Sequence, residues 1–360
     1  MDVEKLYTDA VRLLKQLIAI PSFSKEEDKT AAVIEQFFQE KNIPVFRHLN
    51  NVWSVNKYFD ASKPGILLNS HHDTVKPNPQ YTKDPFEPVV EDGKLFGLGS
   101  NDAGGCLVSL IAAFLFFYEE ENLKYNLVIA ATAEEEISGT NGIEKLLAST
   151  EFSSTFVGLE GVIVGEPTRT NLAIAEKGLL VLDCTTTGRA GHAAGEEGEN
   201  AIYKAIKDIE WFRSFQFPKI SATLGSVKMT VTVINSLNKA HNVVPDECSF
   251  VVDIRVTDVY THEEILQIIE KNISSEVRPR SMRLKSSNIE ITHPLVQAGI
   301  KLGKKTYGSP TSSDAALINA PVLKCGPGDS DRSHTADEFI YLNEIEEGIK
   351  TYIKLLEQIE

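Results

Sequence analysis

The sequence predicts an α/β fold in which a smaller α+β domain is inserted into a larger, discontinuous one. Apolar strands alternate with helices from residue 1 to about 170, a pattern typical of a sheet with helices on both faces. The stretch 177–287 instead follows a βαββαβ-like order. Helices and a strand then resume. We therefore expect one domain formed by 1–176 with 288–360, and a second formed by 177–287.

The elements of the larger domain follow from hydrophobic patterning. A helix is expected at about Lys25–Glu40, and short apolar runs predict buried strands at Gly65–Asn69, Asn126–Thr132 and Gly161–Gly165. The nearly apolar run Cys106–Tyr118 spans about 13 residues, below the roughly 20 that a membrane-spanning helix needs. We interpret it as a buried core helix.

The inserted stretch and the chain after it are predicted in the same way. The inserted elements are a strand at Leu179–Thr187, a helix carrying Ile202, Ile206 and Ile209, strands at Val227–Ile234 and Cys248–Val256, and a helix at His262–Asn272. The elements after them are a helix from about Leu295, a strand at Pro321–Cys325 and a last helix at about Asn343–Leu356. The inserted unit can bury its own apolar face, which favours a separate domain.

Composition excludes several classes of function. The chain has 360 residues, more than one core usually holds, which agrees with two domains. A formal net charge of -15 argues against nucleic acid and anionic membranes as partners, because phosphate-binding surfaces are basic. Four scattered cysteines without CxxC spacing indicate reduced thiols, and the first 20 residues lack the pattern of a secretory signal. We expect a cytoplasmic protein.

Five side chains of the kinds that bind divalent cations follow predicted strands or lie in loops beyond them. They are His71, Asp102, Glu136, Glu166 and His334. Open α/β sheets bind ligands beyond the carboxyl ends of their strands, so these residues are expected to meet there. None is a cysteine, which favours a hard or borderline cation. Together they indicate a hydrolytic metal site, although a polar surface loop or a solvated acidic loop is the alternative for any single motif.

Two more carboxylates accompany these ligands. Asp73 follows His71 by two residues and could accept the second ring proton of a metal-bound imidazole, which fixes its tautomer. Glu135 directly precedes Glu136, and if one of the pair binds metal the other is free to act as a general base on water.

Asp102 lies in a glycine-rich turn, Gly97–Gly105, that leads into the predicted core helix. A dinucleotide-binding GxGxxG motif would need glycine where Asp102 lies, and a carboxylate would repel phosphate there. An aspartate at this turn is better suited to bridge two cations.

The ordered series His-x-Asp, glycine-rich Asp, Glu-Glu, Gly-Glu-Pro-Thr and late His-Thr-x-x-Glu resembles a family of dinuclear zinc amidohydrolases. That family includes acetylornithine deacetylase, succinyl-diaminopimelate desuccinylase, aminoacylase and carboxypeptidases of the G type. The resemblance spans almost the whole chain. It implies a mixed-sheet, zinc-peptidase-like catalytic domain with an inserted, ferredoxin-like lid and dimerisation domain.

The resemblance also implies a ligand set. His71 and Glu166 would bind one metal ion, Glu136 and His334 the other, and Asp102 would bridge both. Two divalent ions are implied as cofactors, most often zinc, with cobalt or manganese as alternatives.

Other roles are implied for neighbouring motifs. Glu135 would be the general base and Asp73 the residue that orients His71. His192, in Gly-Arg-Ala-Gly-His, resembles the lid histidine that reaches the partner subunit's active site and steadies the oxyanion, so a homodimer is implied.

The lid motifs around Asn242 and Arg255 resemble segments that hold the substrate carboxylate, and Lys177 is a looser candidate for binding a substrate anion. The chain departs from the family in two places. The lysine that often follows the bridging aspartate's turn is absent after Asp102, and Glu134 replaces the usual aspartate before the glutamate pair.

The function implied is metal-dependent hydrolysis of an N-acyl-L-amino acid, with N-acetyl- or N-succinyl-L-ornithine in arginine biosynthesis as the leading substrates. A succinyl group would need another cation, for which Lys177 and Arg332 are candidates. A di- or tripeptidase of the same superfamily is one alternative. A catalytically silent, metal-binding dimer module is the other, and Glu135 beside a complete ligand set argues against it.

Overall fold

The computed structural model of the protein describes residues 2–155 and 158–359. The chain forms two compact units. The first consists of Met1–Ile174, Asn288–Tyr307 and Ser313–Glu360, and the second of Ala175–Ser287 and Gly308–Ser312. The assignment of catalytic and lid roles to such units stays a prediction.

Every helix and strand predicted above is present within a few residues of its expected bounds. The α-helices are α1 (Val3–Ile18), α2 (Asp28–Gln39), α3 (Gly105–Phe117), α4 (Ile143–Leu147), α5 (Thr150–Ser153), α6 (Ala201–Ser214), α7 (His262–Glu270), α8 (Pro294–Lys301) and α9 (Leu342–Glu357). The strands are β1 (Phe46–His48), β2 (Asn51–Val55), β3 (Gly65–His71), β4 (Val89–Glu91), β5 (Lys94–Phe96), β6 (Asn126–Thr132), β7 (Leu159–Val164), β8 (Leu172–Glu176), β9 (Gly178–Thr187), β10 (Gly191–His192), β11 (Lys228–Asn235), β12 (Val243–Val244), β13 (Glu247–Val256), β14 (Glu276–Pro279), β15 (Ser287–Asn288), β16 (Thr306–Ser309), β17 (Val322–Lys324) and β18 (Phe339–Tyr341).

The first unit is built on a mixed sheet with the strand order β1-β2-β6-β3-β7-β17-β8. Its centre, β6-β3-β7-β17, is parallel, and β1, β2 and β8 pair antiparallel at the flanks. Side chains alternate between the two faces of the sheet, as the strand period requires. Leu68 packs into a cluster with α1, α2, α3 and α9, whereas the adjacent Leu67 packs with Phe152 and the α4 residues. The sheet is therefore covered on both faces, as the sequence predicts.

Helix α3 is the buried core helix expected from the apolar run. The window Ser100–Phe117 is long and apolar enough to cross a membrane by composition, but 89% of it is buried inside the structure. Its side chains pack against α1 and α9 and against the sheet. The high hydrophobicity of this segment thus reflects packing on all sides.

The second unit contains an antiparallel sheet with the order β11-β13-β9-β14. The elements β9, α6, β11, β13, α7 and β14 follow one another in the predicted βαββαβ order, with the short pair β10 and β12 added. One face of the sheet is apolar and packs with residues of α6 and α7 around Leu182, Phe250 and Ile265. The alternate residues of β9 and β13 are half-buried.

Candidate metal centre

The parallel strands of the first unit bring the predicted ligands to one edge of its sheet. β3 lies between β6 and β7, and all three run in the same direction. His71 ends β3, Glu136 lies in a 3-10 turn shortly after β6, and Glu166 is two residues beyond β7. Asp102 comes from the turn before α3, and His334 from the loop after β17.

The five residues form two donor sets that share one carboxylate. In the first set, candidate ligand atoms of His71, Asp102 and Glu166 all lie within 4.8 Å of one another. In the second, the same holds for Asp102, Glu136 and His334. One carboxylate oxygen of Asp102, Oδ1, is 3.3 Å from Nε2 of His71, and the other, Oδ2, is 3.7 Å from Nε2 of His334. The two oxygens of Asp102 thus face the two sets separately.

The electrostatics of this edge favour a bound cation. Burial, with Asp102 and Glu136 nearby, raises the pKa of Glu166 to about 8. Burial and the neighbouring carboxylates Glu166 and Asp314 raise the pKa of Glu135 well above its usual range. Carboxylates at such close range resist ionising together unless positive charge compensates them. Imidazole and carboxylate donors also suit zinc, cobalt and manganese, so the residues present fit two divalent ions.

The two histidines respond to the same negative charge. Burial by itself lowers the pKa of His71, but Glu135, Asp102 and Asp73 around it raise that pKa well above its usual range. A hydrogen bond with Glu136 is the main reason that the pKa of His334 rises to about 9. Nε2 of His334 is 3.0 Å from a carboxylate oxygen of Glu136. The negative charge that favours protonated imidazoles here is the same charge that bound cations would compensate.

Asp73 contacts both His71 and the glutamate turn. Nδ1 of His71 lies 3.0 Å from the backbone carbonyl oxygen of Asp73 and 3.4 Å from its Oδ1. The Asp73 carboxylate, which is fully buried, accepts hydrogen bonds from the backbone N–H groups of Glu135 and Glu136, at 3.1 and 3.2 Å, and from the Ser24 hydroxyl. The orienting contact expected from the sequence therefore comes from the backbone as well as the side chain of Asp73, and its carboxylate also fixes the turn after β6.

The three consecutive glutamates point in different directions. Glu134 accepts hydrogen bonds from Asn141 and faces away from the donor sets. Glu136 belongs to the second set, whereas Glu135 lies outside both sets found in the described part of the chain, with its Oε2 3.9 Å from Nε2 of His71. His72 also points away, toward Thr30 and the carbonyl of Asn50.

Sequence reasoning missed three buried residues around the centre. Glu338 accepts hydrogen bonds from the N–H groups of the Asp102 turn, and Asn101 ties the same turn to Asp329. Asp314 accepts hydrogen bonds from side chains of β3 and β6 beside the glutamate turn. Glu338 ends the His-Thr-x-x-Glu motif, so its position was a usable signal. The sequence around Asp314, Ser-Ser-Asp-Ala, carries no such signal.

The remaining predicted residues belong to the second unit. His192 is exposed on β10, where its Nδ1 accepts a hydrogen bond from the N–H of Ala194, and Asn242 is exposed in the loop before β12. Arg255 forms a two-point ion pair with Asp253 on the same strand. The ammonium group of Lys177 donates to the carbonyl of Ser226, and burial, with Lys228 and Arg255 nearby, lowers its pKa.

Comparison with known proteins agrees with this geometry. An acetylornithine deacetylase from Buchnera aphidicola subsp. Schizaphis graminum is 27% identical over 96% of this chain and 97% of the relative. A LysW-lysine/LysW-ornithine hydrolase from Sulfurisphaera tokodaii is 26% identical over 96% of this chain and 94% of that one. The crystal structure of a dinuclear metal-binding peptidase from Bacillus subtilis superimposes with a TM-score of 0.74, at 15% identity, over 98% of each chain.

The family described as Peptidase family M20/M25/M40 matches residues 67–358, a range that includes both donor sets. The fold, the paired donor sets and this match lead to one conclusion. The chain belongs to Peptidase family M20/M25/M40 and is a metal-dependent amidohydrolase.

Proposed function

We propose that the protein hydrolyses the amide bond of an N-acyl-L-amino acid, with N-acetyl- or N-succinyl-L-ornithine as the leading substrate and a role in arginine biosynthesis. The observation that carries the proposal is Glu135, a half-buried carboxylate placed beside two donor sets and belonging to neither. A site that only stored metal would have no use for such a base. The names of the relatives from Buchnera aphidicola and Sulfurisphaera tokodaii also support the proposal, since both contain ornithine, although the group attached to it differs.

His71, Asp102 and Glu166 would hold one divalent ion, and Asp102, Glu136 and His334 the other. We propose zinc, with cobalt or manganese as alternatives, since the donors are nitrogen and oxygen only. Such ions supply Lewis-acid polarisation of the amide carbonyl.

In this proposal Glu135 moves the protons. It takes one from the attacking water and passes it to the nitrogen of the leaving amino acid, so a single carboxylate serves as base and then as acid. Asp73 acts through its neighbours, since it fixes both the ring of His71 and the backbone of Glu135.

The substrate's negative groups would bind in the second unit. Lys228 and Arg255 are directly opposite each other on β11 and β13, and both lie close enough to Lys177 to lower its pKa. Like charges placed opposite each other destabilise a strand pair, and Asp253 offers one carboxylate in compensation. We propose that a substrate carboxylate joins this cluster, with Asn242 as a further polar contact.

We also propose a homodimer formed through the second unit. Strand β11 lies at the edge of its sheet, and Val233, Ile234 and Leu237 on or just after it are 53%, 54% and 74% exposed. An exposed edge with apolar side chains is a ready template for pairing with a second copy. The same unit carries His192, which we propose steadies the oxyanion in the active site of the partner subunit.

A peptidase is the second candidate, because the Bacillus subtilis structure that shares this fold is a peptidase. A dipeptide carries its free amino group beside the scissile carbonyl, where it would need a carboxylate partner, and the carboxylate named above, Asp253, is already paired with Arg255.

The test is amide hydrolysis by the zinc-reconstituted protein on N-acetyl-L-ornithine, N-succinyl-L-ornithine and a dipeptide panel, with chelated protein as the control. Chelator-sensitive cleavage of one acyl-ornithine is expected and identifies the acyl group. Cleavage of dipeptides alone would replace the proposal with the peptidase.

A further inference from the structure

We propose that Glu338 is a positioning residue that holds the shared ligand Asp102 and the ligand His334 in fixed relation to each other. The inference rests on the proposed metal centre. It concerns how the chain builds the second donor set, and it assigns a role to a residue outside both sets.

The contacts of Glu338 converge on the turn that carries Asp102. Its side chain is buried, and Oε1 accepts hydrogen bonds from the backbone N–H groups of Asn101, at 2.8 Å, and Asp102, at 3.0 Å. Oε2 accepts from the N–H of Gly99 at 3.3 Å, and the backbone carbonyl of Glu338 accepts from the N–H of Gly97 at 3.0 Å. Four N–H groups of one short turn thus bond to a single residue.

The turn needs such a partner because its backbone is irregular. Asp102 has φ -118° and ψ 98°, and Gly99 has a left-handed φ of 75°, so the N–H groups here are not aligned as in a regular helix. A buried N–H group without an acceptor destabilises the conformation that leaves it unpaired. The carboxylate of Glu338 therefore determines which conformation of this turn is stable, and with it the direction of the Asp102 side chain.

Glu338 is also close in sequence to the ligand His334. Glu338 lies four residues after His334, and its own N–H donates to the Tyr81 hydroxyl. The side chain of Asn101 adds a second link between turn and loop, since it bonds to the N–H and carbonyl of Asp329 and to the Ser333 hydroxyl. Turn and loop are thus joined on both sides of His334.

The two donor sets depend on this joint unequally. In the second set, the contacts between turn and loop hold two of the three ligands, Asp102 and His334. In the first set they hold only Asp102. Residues that orient metal ligands typically contribute 10–100-fold to metal affinity. We expect Glu338→Ala to weaken binding of one ion by about 10–100-fold and of the other much less, so that the variant retains one tightly bound ion per chain.

The variants Glu338→Ala and Glu338→Gln separate positioning from folding. A glutamine whose carbonyl oxygen takes the place of Oε1 keeps the bonds to Asn101 and Asp102 and loses only the one to Gly99, so it is expected to restore most of the affinity. The matched control is Asn126→Ala. Asn126 is also buried, and it makes three hydrogen bonds to the backbone of Asp60 and Lys63. It lies at the start of β6, however, about 20 Å along the strand from the metal centre.

The measurement is competition of zinc with a chromophoric chelator, together with the visible absorption spectrum of the cobalt-loaded proteins. The expected result is loss of one tight site in Glu338→Ala alone, a changed cobalt spectrum, and recovery in Glu338→Gln. Wild-type affinity for both ions in Glu338→Ala would overturn the inference, as would an equal loss in Asn126→Ala. A wild-type protein that binds two ions but hydrolyses no amide would refute the proposed function and leave this inference standing.

Discussion

Replacing Asp73 with asparagine tests how the centre is oriented, because the two oxygens of Asp73 have different partners. Oδ1 accepts from the N–H of Glu135, whereas Oδ2 accepts from the N–H of Glu136 and the Ser24 hydroxyl. An asparagine has one carbonyl oxygen and one NH2 group. Whichever way its amide is turned, the NH2 group faces a backbone N–H, so Asp73→Asn cannot satisfy both sides.

The expected cost follows from this geometry. One buried N–H group left without an acceptor costs about 1–3 kcal/mol of stability. The position of the glutamate turn and the ring of His71 change with it, and mutations of such orienting residues typically lower metal affinity or activity by about 10–100-fold. We therefore expect kcat to fall within that range while the substrate KM changes little, since Asp73 is buried behind the ligands.

The matched control is Asp314→Asn. Asp314 is also a buried carboxylate beside the glutamate turn, but Asn69 and Thr132 both donate to the same oxygen, Oδ2. An asparagine with its carbonyl oxygen at that position keeps both bonds, so its loss of kcat is expected to be several-fold smaller. Steady-state amide hydrolysis and urea unfolding of both variants provide the comparison. Equal losses in the two variants, or wild-type kcat in Asp73→Asn, would refute the argument.

Four further predictions follow from the same structure. Glu135→Gln should bind both ions with near-wild-type affinity yet lose about 10²–10⁴-fold in kcat, and unchanged turnover would remove Glu135 from the mechanism. Burial lowers the pKa of His72 to about 4, so the unfolded chain binds that proton more readily. Between pH 7 and pH 5 this residue should cost the metal-free protein about 2 kcal/mol of unfolding free energy relative to His72→Gln, and equal slopes in the two proteins would contradict this. Chelation should lower the melting temperature, since only the folded chain presents both donor sets, and an unchanged melting curve would argue against bound ions. Val233→Lys should shift the protein from dimer to monomer in light scattering, and a fully active monomer would exclude a role for His192 across the dimer.

The clustering of the candidate ligands at one edge of the sheet was predictable because its signals are local. His71, Glu136 and Glu166 follow apolar runs, and the parallel arrangement of buried strands brings the ends of such runs together. Asp102 lies in a glycine-rich turn, and His334 in a polar loop beyond the last of these strands. The sequence also indicates helix α1, since Asp2 caps its N-terminus and apolar residues recur at helical spacing from Leu6 to Leu17.

The hydrogen-bond partners of the supporting residues were not predictable, because they are distant in the chain and mostly backbone groups. Glu338 bonds to N–H groups more than 230 positions earlier, and Asp314 joins the side chains of Asn69 and Thr132. Any residue supplies a backbone N–H, so the turn that needs an acceptor has no sequence signature. Which carboxylate serves each turn is decided only when the sheet has assembled.

The most direct test of the two-ion centre is hydrolysis of N-acetyl-L-ornithine and N-succinyl-L-ornithine by chelated protein titrated with zinc. The ligand geometry predicts that release of free ornithine from one of them rises with added zinc and reaches its plateau at two equivalents per chain. Full activity in the chelated protein, or a plateau unrelated to zinc, would contradict the central claim that two ions held by His71, Asp102, Glu136, Glu166 and His334 carry the reaction.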